Sequence, residues 1–187
     1  MKKNFGAETW LYPMPVFIIG TYNEDGTPNA MNAAWGGTAN SNKIAICVDR
    51  NHKTTENFLG RKAFTVAIAD ETNVVPSDYV GIVSCFDVPD KISRAGLTPV
   101  KSEFVDAPVF EEYRMTLECR VVSYDNDSEL LIGEIVNIMA DESVLAEDGQ
   151  IDIMKLKPIS FDPVHSEYHV IGDKVGNAFS DGKELDK

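Results

Sequence analysis

Apolar residues fall in short runs along this chain, and the runs have the length of strands. Residues 16–22 (VFIIGTY) and 30–35 (AMNAAW) flank the turn-forming cluster Asn23-Glu24-Asp25-Gly26, and together they predict a β-hairpin. A third run, 43–48 (KIAICV), ends in the polar, locally basic stretch Asp49-Arg50-Asn51-His52-Lys53-Thr54-Thr55. Residues 54–61 (TTENFLGR) then predict a short helix: a threonine to cap it, Glu56 in its first turn, Gly60 near its end. Residues 63–69 (AFTVAIA) alternate and are β-branched, which predicts a strand. Within 73–85 a second short helix is expected to start after Pro76, and 89–108 is turn-rich without a clear period.

Residues 115–124 and 130–139 are rich in Val, Ile and Leu and are joined by Asp125-Asn126-Asp127-Ser128, a second hairpin. A helical turn is expected over 141–145 and a turn at Asp148-Gly149. Short extended pieces are expected at 159–161 and 168–171. Strands dominate, and no strand–helix–strand alternation runs through the chain. That pattern argues against a doubly wound parallel sheet and predicts a mainly β protein, an antiparallel barrel closed or nearly so, with a few short connecting helices. No repeat or linker interrupts it, so one domain over 1–187 is expected.

Composition narrows the function classes. The 187 residues are 43% hydrophobic and 25% charged, the balance of a globular protein. A formal net charge of −13 argues against nucleic acid, whose phosphates such a surface would repel, while leaving room for a small anion held by local donors. No apolar stretch is long enough to span a bilayer. No apolar stretch follows Lys2 and Lys3 either, so a cytoplasmic location is expected. Cys47, Cys85 and Cys119 occur singly, which indicates neither a disulfide framework nor a zinc motif.

Two segments could carry chemistry. Residues 50–55 combine a guanidinium, an imidazole, an ammonium and two hydroxyls with the free N–H groups of a helix start, a setting that attracts phosphate; a solvated loop capping a helix fits the same residues. Asn32-Ala33-Ala34-Trp35-Gly36-Gly37 could let a flat ring lie against the backbone, or could be a strand bend relieved by glycine. His165 and His169 stand four apart with Glu167 between them, but no third convincing ligand or H-E-x-x-H pattern accompanies them, so no metal site is expected. Neither G-x-S-x-G, G-x-G-x-x-G nor a P-loop occurs.

One ordered set of motifs goes further. P-x-P-V-F-I-I-G-T-Y-N-E-D-G-T-P-N-A-M-N-A-A-W-G-G begins at Pro13, N-H-K-T-T-E-N at Asn51, and D-Y-V-G-I-V-S at Asp78. V-P-D-K follows at Val88, A-G-L-T-P at Ala95, D-A-P-V at Asp106, L-E-C at Leu117, G-E-I-V at Gly133 and I-G-D-K-V-G-N-A-F at Ile171. In this order they resemble the flavoredoxin branch of the flavin reductase-like, FMN-binding split-barrel family, and the resemblance covers nearly the whole chain.

The resemblance implies a Greek-key split β-barrel that forms a homodimer and holds FMN noncovalently near the subunit interface. It places Asn32, Ala33, Ala34 and Trp35 along the isoalloxazine, with Val48 and Arg50 bordering the ring and ribityl chain. His52, Lys53, Thr54 and Thr55 would hold the phosphate, and Ser84, Asp90 and Lys91 would come from a loop closing over the flavin. Two positions depart from the pattern: Cys85 stands where relatives commonly carry glycine, and Ile92 where they commonly carry an aromatic. The implied activity is that of an oxidoreductase drawing electrons from NAD(P)H. The alternative is an electron carrier serving redox-protein partners with little NAD(P)H activity. Since the flavin would do the redox chemistry, no side chain is expected to act as a catalytic acid or base.

Overall fold

A computed structural model of the chain describes residues 1–186. In chain order the elements are β1 (Met14–Pro15), β2 (Phe17–Tyr22), β3 (Pro28–Ala33), β4 (Gly36–Asn40), β5 (Lys43–Cys47), α1 (Lys53–Arg61) and β6 (Ala63–Ile68). Then come α2 (Val74–Ile82), α3 (Lys91–Arg94), β7 (Pro99–Lys101), β8 (Pro108–Phe110), β9 (Met115–Asp125), β10 (Leu130–Ala140), α4 (Ile153–Leu156), β11 (Ile159–Asp162) and β12 (Glu167–Val170). Short 3-10 turns cover Glu142–Val144 and Asp181–Asp186. No helix among the described residues is long and apolar enough to cross a membrane.

Seven strands form one antiparallel sheet in the order β3-β2-β6-β9-β10-β5-β4. Its two edge strands, β3 and β4, are consecutive in sequence and joined only by Ala34 and Trp35. In a flat sheet six inter-strand spacings would put those edges about 29 Å apart. Three Cα–Cα steps reach only about 11 Å. The sheet must therefore curl until its edges meet, and because β3 and β4 do not pair with each other the barrel stays split there. The expected mainly β split barrel is what this chain forms.

Curling leaves two faces to bury, and the sequence supplies both. Strand β2 is buried almost throughout, and its side chains divide by the two-residue period. Phe17 and Ile19 face the barrel interior with Ile46, Phe64, Val66 and Leu131; Val16 and Ile18 face an outer core with Val80, Ile92, Phe110 and Ile159. A strand buried on both faces reads as a continuous apolar run, as VFII does here. Helix α1 closes the interior by laying Phe58 against Phe64 and Tyr124, at centroid distances of 6.2 and 5.4 Å. Helices α2 and α3 cover the outer face with the small β1-β11-β12 sheet.

Several boundaries differ from the sequence expectation. Residues 36–40 form a strand: β4 pairs β5 from Gly36↔Ile46 to Asn40↔Lys43. A Cβ at Gly36 would lie 2.9 Å from the Ala45 carbonyl oxygen, so glycine here permits close approach between strands. Helix α2 begins at Val74, before Pro76, because a proline in the first turn forfeits no intrahelical bond. Helix α1 begins at Lys53 with His52 at its N-cap and no side-chain cap; Gly60 is next to its last residue, as expected, and the chain leaves it through Lys62 in the left-handed region (φ 58°). Thr54 does not cap it, because it lies inside the helix as its second residue, with His52 in the capping position. The turn-rich stretch contains α3 and the β7–β8 hairpin, both too short to show a period.

Candidate functional site

The split in the barrel opens into two contiguous cavities. The larger, about 430 Å3, is lined by Ala33, Ala34 and Trp35 of the β3–β4 link, by Val48 after β5, by Ile82 of α2, and by Phe161 and Tyr168 of the β11–β12 pair. Its walls are mainly apolar and aromatic, and Trp35 stands 6.3 Å from Phe161 between ring centroids. The smaller, about 220 Å3, is lined by polar groups: Asn29, Thr54, Lys53, Ser84, Cys85 and Lys91. Met31, Asn32, His52, Gly81 and Ile82 border both. Gly81 keeps α2 close to this wall, since a Cβ there would come within 2.8 Å of the Asn32 Cβ.

The polar end is built around the start of α1. Thr55 N–H bonds the His52 carbonyl at 3.0 Å, and Glu56 N–H reaches the same oxygen at 3.3 Å. The Lys53 and Thr54 N–H groups are left with no intrahelical acceptor. Beneath them lies a buried polar network. Asn29 Nδ2 donates to Thr54 Oγ1 (2.9 Å) and to Thr21 Oγ1 (3.3 Å), and Asn57 Nδ2 donates to Thr21 Oγ1 (3.1 Å) and Asn23 Oδ1 (2.8 Å). Because Thr54 Oγ1 accepts from Asn29, its own proton remains free to donate. Asn29 Oδ1 is buried without a partner. Turning that amide over would let its oxygen accept from the two threonine hydroxyls and present its NH2 to the cavity.

Lys91 completes this end. It is only 3% exposed, and Nζ donates to the carbonyls of Val83 (2.9 Å) and Val80 (3.2 Å). Burial lowers its pKa from 10.5 to about 8, opposed in part by the nearby Cys85 thiol. Two neutral carbonyls compensate a buried ammonium poorly, so the lysine is poised for an anion. At the other end, Tyr168 donates to Asp78 Oδ1 at 2.9 Å. Burial and that carboxylate push the phenol up to about 12.

The expected site residues fall into three groups. Asn32, Ala33, Ala34, Trp35, Val48 and His52 line the larger cavity, and Asn32 and His52 continue with Lys53, Thr54, Ser84 and Lys91 into the smaller. Thr55 lies just behind, where it is buried and its hydroxyl donates to the Asp49 carbonyl at 2.7 Å. Arg50 and Asp90 line neither cavity: Arg50 lies 3.4 Å from Glu129 on the surface, and Asp90 pairs with Arg94 at 2.9 Å. Cys85 sits at the polar end, 3.7 Å from Asn23 Nδ2, and is not among the residues lining the larger cavity.

Asn29, Asp78, Phe161 and Tyr168 join the site without having been singled out. Asn29 and Asp78 lie inside the quoted motifs, but nothing in a linear sequence marks their orientation. Phe161 and Tyr168 arrive through the β11–β12 pair, more than 100 residues from the β3–β4 link, so no local signal could place them.

Comparisons with known proteins agree with this geometry. Residues 9–156 match the flavin reductase like domain. The flavoredoxin of Desulfovibrio vulgaris (Miyazaki F) is 41% identical and superposes with a TM-score of 0.94 over 98% of this chain and 100% of its own. A flavoredoxin from Methanosarcina acetivorans is 28% identical, with a TM-score of 0.89 over 99% of each chain. An FMN-binding domain of a flavin reductases-like enzyme from Shewanella baltica is 19% identical, with a TM-score of 0.78 over 87% of this chain and 88% of that one, a likeness of fold alone.

Proposed function

The chain belongs to the flavin reductase-like family, and from that premise we propose that it is an FMN-dependent oxidoreductase using a nicotinamide nucleotide as electron donor. One observation carries the reading: an aromatic-walled cavity runs directly into a smaller one that gathers a buried lysine, a free threonine hydroxyl and unpaired N–H groups at a helix start. A flat ring and a phosphate, joined by a short chain, match that division. In either orientation of the Asn29 amide one donor faces a ligand rich in oxygen atoms: the Thr54 hydroxyl as the amide stands, or the Asn29 NH2 once it is turned over.

When bound, the flavin supplies hydride or single-electron chemistry. This chain's residues have other tasks. Ala33 and Ala34 leave room for a ring, while Trp35, Val48 and Phe161 exclude water from its faces. His52, Lys53, Thr54 and Lys91 hold the phosphate, with Asn29 beside them. Ser84 contributes from the following loop, and Thr55 fixes the loop that carries His52 by donating to Asp49. Tyr168, hydrogen-bonded to Asp78, keeps its proton far above neutral pH and can position a polar edge without ionising.

The same fold suits an electron carrier that serves a protein partner, and the net charge of −13 favours this second reading by matching a basic docking surface. A homodimer of single-domain, cytoplasmic chains is part of the proposal. Val175 and Phe179 are fully exposed in the C-terminal arm, where packing against a second copy would bury them.

The absorption spectrum of freshly purified protein tests the cofactor: flavin bands are expected, and a colourless protein that takes up no added FMN refutes it. Catalytic NADH or NADPH oxidation by the holoprotein supports the reductase, whereas none supports the carrier. Sedimentation at micromolar concentration is expected to give a dimer, and a monomer contradicts that part.

A further inference from the structure

The β11–β12 hairpin turns one face to the larger cavity and the other away from it. Its register pairs Phe161↔Tyr168 on the first face, and Ser160↔His169 and Asp162↔Glu167 on the second. The two-residue period therefore gathers Asp162, Glu167 and His169 on a common surface. Their ligand atoms all lie within 4.8 Å of one another. His169 Nε2 is 3.2 Å from Glu167 Oε2 and 4.0 Å from Asp162 Oδ2. His165, in the connecting turn, places Nδ1 2.7 Å from that same Asp162 oxygen.

We propose that Asp162, Glu167 and His169 form a binding site for a zinc-type divalent cation on the outer face of this hairpin. The sequence offered His165 and His169 with Glu167 between them and no third convincing ligand; strand pairing brings Asp162 beside Glu167 and His169. A tetrahedral ion with ligands at about 2.1 Å holds them about 3.4 Å apart; the two separations from His169, 3.2 and 4.0 Å, bracket that value, and the Asp162–Glu167 pair, within 4.8 Å, closes on the ion through the exposed Glu167 side chain. One imidazole and two carboxylates select zinc, nickel or copper over magnesium or calcium, which favour oxygen-only shells.

Asp162 is prepared for the role by its surroundings. Its side chain is 10% exposed, Tyr12 donates to Oδ1 through its hydroxyl, and the Val164 N–H donates to the same oxygen at 2.8 Å. Those contacts fix the carboxylate with Oδ2 toward the histidines, as outer partners orient a metal ligand. Three protein ligands leave a fourth position for water or for His165. His169 and Glu167 side chains are each 60% exposed and free to close on an ion.

Titration calorimetry of untagged full-length protein with zinc chloride in a non-chelating buffer tests this. One zinc per chain is expected, with a micromolar Kd. His169→Ala and Glu167→Gln, both at exposed positions, should each weaken it by at least about tenfold, and the double variant should abolish it. No saturable uptake, uptake unchanged in the double variant, or magnesium binding ahead of zinc overturns the proposal. The readout is metal uptake alone, so the result is independent of the flavin.

Discussion

Lys91 allows the phosphate assignment to be tested by pH. In the free protein its ammonium is buried against two carbonyls, and its pKa falls from 10.5 to about 8. A phosphate at the polar end would supply the missing countercharge and raise that pKa again. Below pH 8 the lysine is charged in both states, and FMN affinity should not depend on it. Above pH 8 the free protein loses a proton that the complex retains, so affinity should fall tenfold per unit until the pKa of the complex is reached. If the phosphate cancels the whole effect of burial, the fall amounts to about 300-fold by pH 10.5; recovery of one unit gives about tenfold.

Riboflavin carries the same ring without the phosphate, so the ratio of FMN to riboflavin affinity cancels ring ionisation. The assay is fluorescence quenching of each flavin by apoprotein from pH 7 to 10, with Lys91→Met as the reference. A ratio independent of pH, or an equal decline in Lys91→Met, refutes the reasoning. The free protein offers a check of sign: between pH 8 and 10.5 the unfolded lysine binds the proton that the folded one has lost. Lys91 should therefore favour the apoprotein increasingly as pH rises through that window, opposite to its effect on FMN binding.

The remaining predictions concern other parts of the site and its supports. Lys53→Ala combined with Thr54→Ala should weaken FMN at least about tenfold and riboflavin much less; equal loss for both ligands rules out the helix start as the phosphate end. Gly81→Ala forces a Cβ to within 2.8 Å of the Asn32 Cβ, so flavin affinity and stability should both fall, the latter by about 1–3 kcal/mol. Gly60→Ala, inside α1 with nothing within 4 Å of the new Cβ, should instead stabilise the protein by about 0.5–1 kcal/mol in urea unfolding. Arg114→Met leaves Asp70, fully buried and 2.9 Å from Nε, without its countercharge; a loss of about 3–5 kcal/mol is expected, and less than 1 contradicts the pairing.

What the sequence revealed depended on the range of each interaction. The long hairpin of β9 and β10 was legible because both strands are apolar and a turn cluster lies between them. The run at β2 was legible as a strand but not as a strand between two cores, since a continuous apolar run does not say what covers each face. Strand β4 is glycine-rich and exposed toward its end, and pairing with β5, not propensity, makes it a strand. At the candidate site, residues 32–35 and 52–54 stood out as contiguous and chemically unusual, but a strand bend and a capped helix fit the same residues, and only the ordered motifs around them assigned them. Arg50 and Asp90, which the resemblance assigned to the site, stand at the surface beside Glu129 and Arg94. Asn29 and Tyr168 escaped notice because their chemistry depends on partners distant in sequence, Thr54 and Asp78.

The position of the site follows from the same link that shapes the sheet. Ala34 and Trp35 must carry the chain from one edge of a seven-stranded sheet to the other, so the edges converge without pairing. Backbone groups along an unpaired edge need partners, and small side chains are required where two edges crowd. A ligand with a flat apolar body and a polar rim meets both demands at once, by packing against the alanines and bonding the exposed backbone. Replacing Ala34 with valine separates the two requirements: the strands can still curl, but a ring could no longer approach. Flavin binding should then fail, while urea unfolding shifts by no more than about 1–3 kcal/mol, the cost of overpacking a buried position. Retained flavin affinity in Ala34→Val would mean that the link shapes the barrel but does not form the ring wall.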